Sequence, residues 1–121
     1  MLNQARWSFE KEMMRKYFPS FTPFTTESGW VGFFGCLKGP RSRRRYQVVL
    51  KAMADNYPQT EPAIYMEPRP ERHHWISATA YEREHGGKLC YQRERGVWMP
   101  AQLTFANCLL IAIKYVAEFD R

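Results

Sequence analysis

The sequence predicts an α+β domain: one helix, a meander of four short antiparallel strands, a long loop and a second helix. Three observations predict it. Residues 2–18 repeat apolar side chains at helical spacing and stop at Pro19. Residues 21–67 break into β-rich runs divided by glycine and proline. After Thr104 the chain turns into a continuous apolar stretch long enough for a helix.

In the first helix Leu2, Ala5, Phe9 and Met13 recur at steps of three and four and are expected to face the core. Glu12 and Lys16 form an i,i+4 pair. Arg6, Lys11, Arg15 and Lys16 give the polar side a basic bias.

The strands are expected over residues 21–26, 30–37, 44–51 and 63–67, with breaks at Gly29, Gly39-Pro40 and Asn56-Tyr57-Pro58. Tyr46, Val48 and Leu50 alternate with Gln47, Val49 and Lys51, so the first set marks the core face of the third strand. Short connections favour antiparallel neighbours in chain order. Cys36 stands among Phe33, Phe34 and Leu37 and is expected to be buried. Pro62 should fix the approach to the fourth strand.

Residues 68–90 show no steady period and form the expected long loop. Thr104 is placed as the N-cap of a helix over residues 105–119. That helix is apolar on nearly every side, so it should lie buried against the sheet, with Cys108 in the core.

Composition bounds the function. The 121 residues suit a single domain with one two-layer core. An apolar share of 45% and an aromatic share of 16% argue for a folded globule. No apolar run approaches the ~20 residues of a membrane span, and the N-terminal stretch has no apolar signal core. Three scattered cysteines make no disulfide framework, which points to a reducing cytoplasm. The net charge of +6 is dense only at Arg41, Arg43, Arg44 and Arg45. An acidic protein partner accounts for it as well as a phosphate backbone does, so nucleic acid is not favoured.

The chemistry concentrates in residues 86–103, GGKLCYQRERGVWMPAQL. Gly86 and Gly87 permit a sharp turn, Cys90 follows Leu89, and Pro100 biases Met99 towards extended backbone. Cys90 therefore belongs to an irregular segment rather than a periodic apolar run, as a reactive thiol should. Trp98, eight positions after Cys90, should pack beneath that segment.

The words Gly87-Lys88-Leu89-Cys90 and Trp98-Met99-Pro100-Ala101, with their spacing of eight, resemble the ubiquitin-conjugating enzymes. Tyr57-Pro58-Gln59-Thr60-Glu61-Pro62-Ala63-Ile64 is similar to that family's step at the end of its third strand, and Gly39-Pro40 also recurs. The resemblance spans residues 30–115. It implies a UBC-like fold, a thioester between Cys90 and the C-terminus of a ubiquitin-like modifier, and transfer to an amine of a protein target. It implies a separate adenylating enzyme that charges Cys90 and docks on the basic first helix. No cofactor, metal or membrane is implied. Lys88, Arg93 and Arg95 flank Cys90 and would favour the thiolate if turned inward.

The chain departs from the family's pattern. The family's His-Pro-Asn step begins ten residues before its cysteine. Here the nearest match is His73-His74-Trp75, seventeen residues before Cys90, without the asparagine and in a loop seven residues longer. The family's last two helices are also expected to be missing. These departures make the chain similar to stand-alone bacterial relatives of antiviral operons. With the asparagine gone, His73, His74, Tyr81 and His85 are the candidates for the oxyanion or proton-transfer role. His73 is the positional match to the family's largely structural histidine, and His85, five residues before Cys90, is the choice for chemistry.

Other readings carry less. His73, His74, His85 and Cys90 match no zinc-ligand spacing, and nothing around Cys90 resembles a cysteine protease signature. A non-catalytic UBC-like binding module would share the Tyr-Pro step, but such modules lose the cysteine that this chain keeps at Cys90.

Overall fold

The computed structural model describes residues 2–67 and 99–120. Its elements run α1 (Gln4–Tyr17), β1 (Thr22–Thr25), β2 (Trp30–Lys38), β3 (Arg45–Met53), β4 (Ala63–Glu67) and α2 (Phe105–Phe119). The four strands form one sheet in the order β1-β2-β3-β4, antiparallel at every step. This is the expected α+β layout of two helices and a meander.

Asn3 starts α1 by accepting the backbone N–H of Arg6 at 3.0 Å. Arg15 and Lys16 in the last turn oppose the negative end of the helix dipole. The buried stripe is Trp7, Glu10 and Met14, not the expected Leu2, Ala5, Phe9 and Met13. Phe9 is half exposed and Ala5 exposed, while Leu2 and Met13 pack only at the edge of the core. The indole of Trp7 outcompetes Phe9 for the interior, and Glu10 is admitted because it is fully partnered. Glu12 pairs with Arg15 rather than Lys16, whose ammonium lies over the Tyr17 ring.

The hairpin between β1 and β2 turns at Gly29, whose φ of 96° suits a residue without a Cβ. Side chains then alternate. Val31 and Phe33 of β2, Tyr46, Val48, Leu50 and Ala52 of β3, and Ile64 and Met66 of β4 point to the covered face. Trp7, Phe33 and Phe105 pack as tilted and edge-on rings, with centroids 5.2 to 6.2 Å apart. Each such side chain, fully buried, contributes about 1.5–3 kcal/mol.

The same alternation corrects the expectation for Cys36. It shares the outer face of β2 with Phe34 and is exposed. An unbroken apolar run hides the period of two, and among the described residues helices cover only one face of this sheet. Cys108 is buried as expected. The helix that carries it is buried on one side only. Phe105, Leu109, Ala112 and Val116 meet the sheet and α1, whereas Leu110 and Ile111 are 53% and 37% exposed. Pro62 is buried just before β4.

Asp120 ends α2 and fastens it to the β2–β3 hairpin. Its buried carboxylate accepts the backbone N–H groups of Arg41 and Ser42 at 2.8 and 2.9 Å. It also accepts the hydroxyls of Ser42 and Tyr46 at 2.5 and 2.6 Å. Burial alone would raise its pKa, but these four donors outweigh it and hold the group well below the usual carboxylate range. Gly39 makes room for it, since a Cβ there would collide with the carboxylate.

Candidate functional site

Cys90, His73, His74, Tyr81, His85, Trp98 and the basic neighbours of Cys90 lie outside the described residues. The structure places the two ends of the segment that carries them. One end is Glu67, at the end of the edge strand β4. The other is Met99-Pro100, which leads through a turn to Thr104, where α2 begins. The turn closes through backbone N–H groups of Gln102 and Leu103, both donating to the Met99 carbonyl at 2.9 Å.

Thr104 caps α2 as expected. Its hydroxyl oxygen accepts the Asn107 N–H, and the Asn107 side chain accepts the Thr104 N–H at 2.8 Å.

A second device, centred on α1, holds this connection in place. The Arg6 guanidinium donates to the carbonyls of Pro100 at 2.7 Å and Leu103 at 2.5 Å. It also donates to Glu10 at 2.8 Å and to the Tyr57 hydroxyl at 3.2 Å. Glu10 is fully buried and accepts the Tyr57 hydroxyl, while its other oxygen accepts the Phe105 N–H at 2.9 Å. That N–H belongs to the first turn of α2 and has no partner inside its own helix. Tyr57 stacks at 4.7 Å from Phe105 and sits at a cis Tyr57-Pro58 bond beyond β3.

The electrostatics follow from this packing. Burial pushes the Tyr57 phenol far up, and the adjacent Glu10 carboxylate adds to the shift against the opposing pull of Arg6. Burial would lower the pKa of Arg6, yet its bonds to Glu10 and Tyr57 raise it. The Arg6–Glu10–Tyr57 group is therefore a structural clamp: a cation that gathers two carbonyls and a carboxylate that caps a helix.

This assigns Arg6 away from the basic docking face on which it was expected. Its side chain is 17% exposed and committed inward. Lys11, Arg15 and Lys16 remain exposed on α1. Sequence reasoning missed Glu10 and the partners of Tyr57. The available signal was Glu10 standing four residues from Arg6 and in helical step with Trp7 and Met14. Among the described residues, no group of three or more His, Cys, Asp or Glu could hold a metal, and no helix is long and apolar enough to cross a membrane.

No protein-family model, curated protein or solved structure matches the chain.

Proposed function

We propose that the chain is a UBC-like conjugating enzyme that carries a ubiquitin-like modifier as a thioester on Cys90. The observation that carries this reading is the spacing of Gly87-Lys88-Leu89-Cys90 from Trp98-Met99-Pro100-Ala101, placed between a four-stranded meander and a following helix. The clamp from α1 supports it, because it anchors the backbone at Pro100 and Leu103, two and five residues after Trp98 in the sequence.

In the charging step the Cys90 thiolate attacks the activated C-terminal carbonyl of the modifier, and the activating enzyme's leaving group departs. In the discharge step an amine of the target attacks the thioester carbonyl. The C–S bond breaks, an amide forms, and the amine proton passes to a base. His85 is assigned that base or oxyanion role and His73 a structural one. The activating enzyme meets Lys11, Arg15 and Lys16, and the setting is a bacterial antiviral pathway in the cytoplasm.

The test mixes the protein with modifier, activating enzyme and ATP, and reads intact mass without reductant. Cys90→Ala should abolish the adduct and Cys36→Ala should keep it. The second variant is essential, since Cys36 is an exposed thiol. His85→Ala should slow discharge to free lysine with folding intact, and His73→Ala should mainly lower the melting temperature. Charge reversal at Lys11 and Arg15 should slow charging more at low salt than at high salt. An adduct that survives Cys90→Ala and disappears in Cys36→Ala overturns the assignment. Tight, adduct-free binding of the modifier would instead make the chain a non-catalytic UBC-like module.

A further inference from the structure

The outer face of the sheet combines aromatic rings with cations that have no ion-pair partner among the described residues. Phe34 is 46% exposed, and its ring lies 6.1 Å from that of Phe24. Across the face, the Lys51 ammonium sits 4.5 Å from the Trp30 ring and 4.8 Å from the Tyr65 ring. Phe34 and Tyr65 flank Val49 in one row across three strands, so they stand about 10 Å apart.

At the hairpin end of the same face, Lys38 of β2 lies directly opposite Arg45 of β3. Both are exposed, and neither has an ion-pair partner among the described residues. Like charges directly opposite on paired strands repel. An arrangement that places them there suits an anion brought from outside. Arg41, Arg43 and Arg44 extend the positive field around the hairpin. Glu67 is the one carboxylate among the described residues of this face. The hairpin thus sets Lys38 and Arg45 side by side at one end of this face, with Arg41, Arg43 and Arg44 in the connection beside them.

We propose that this face binds single-stranded nucleic acid, with bases stacked on Phe34 and its aromatic neighbours and phosphates held by Lys38 and Arg45. Every base has a π-face, so stacking on the exposed Phe34 ring and the half-buried rings beside it suits an unpaired strand, whereas a duplex hides those faces. Phe34 and Lys38 are four residues apart on β2, about 13 Å at the usual strand rise. One extended strand therefore reaches both the rings and the cation pair. A partner that offered carboxylates alone would use the cations and leave the rings without a role. The proposal does not draw on Cys90, so it stands or falls apart from the conjugating activity.

Fluorescence anisotropy with a labelled oligo-U RNA and an oligo-dT DNA of about 12 nucleotides tests it. Binding should weaken steeply between about 50 and 200 mM salt. Phe34→Ala should weaken binding about five- to a hundredfold with little change in salt dependence. Lys38→Ala with Arg45→Ala should reduce the slope of log affinity against log salt by about 0.7 for each phosphate no longer neutralised. Thermal melting by circular dichroism accompanies each variant. Tyr65→Leu replaces Phe34→Ala if that variant melts early. Absence of binding at about 50 mM salt overturns the proposal. So does wild-type affinity in both ring variants. Equal affinity for poly-glutamate, unaffected by removal of the rings, would reassign the face to an acidic protein.

Discussion

Glu10 and Phe105 are 95 residues apart in the chain, and the Glu10 carboxylate accepts the Phe105 backbone N–H at 2.9 Å. A side chain from the first helix thereby caps the second. A carboxylate at a helix N-terminus satisfies an orphan donor and meets the positive end of the dipole. Glu10 is also bonded to Arg6 and Tyr57, so one buried group joins α1, the chain beyond β3 and the start of α2.

Glu10→Ala should destabilise the domain by about 3–5 kcal/mol, the range for breaking a buried pair and leaving its partner charged. Arg6→Ala should cost a similar amount, because it strands Glu10. The double variant should cost clearly less than the sum, since the two share one interaction. Urea titration of the three proteins measures this cycle. Additive losses would show that the two residues act independently.

Tyr57 contributes to the behaviour at high pH, as does Tyr46, whose phenol is also pushed up by burial and by its bond to Asp120. The folded pKa of Tyr57 is raised, so the folded state holds the phenolic proton more tightly than the unfolded chain does. The contribution is fully present below the unfolded value near ~10 and is lost as pH rises above it. Tyr57→Phe should lower stability at neutral pH by about 1.5–3 kcal/mol, the value of a hydrogen bond to a charged group. It should also flatten the alkaline decline seen by melting temperature above pH ~10. An unchanged alkaline limb in Tyr57→Phe would assign that decline to other groups.

Asp120 sets the opposite limb. Its folded pKa is lowered, so its contribution is present above the unfolded value near ~3.9 and is lost as pH falls below it. Asp120→Asn keeps the shape but gives up the charge that draws four donors together. The variant should be less stable at neutral pH and should approach the wild type as pH drops from about 4 to 2. Melting curves across that range check the convergence.

Strand placement was largely legible because a period of two leaves its mark on Tyr46, Val48 and Leu50, which alternate with polar or half-buried neighbours. It failed for Cys36, where Phe33, Phe34 and Leu37 fill both faces with apolar residues. The fourth strand has the expected bounds, and the other three differ from theirs by one or two residues at one or both ends, since Gly29 and Gly39 mark turns but not the last ladder bond. On α1 the period was correct and its phase was not, because Phe9 and Trp7 are both apolar and only packing chooses between them. The candidate thiol was legible as a word with a spacing. The clamp was not, because Arg6, Tyr57 and Leu103 acquire their relationship only after the sheet brings distant segments together.

The strand order has a consequence for how the molecule is made and lost. Each strand pairs with its neighbour in sequence, so the sheet assembles through short closures that cost little chain entropy. The ties from Arg6 and Asp120 reach across 97 and 74 residues and reward the chain only after the sheet exists. Interactions formed after the rate-limiting step leave the folding rate nearly unchanged and govern the rate of escape. The hairpins therefore set how fast the fold appears, and Glu10 and Asp120 set how long it lasts.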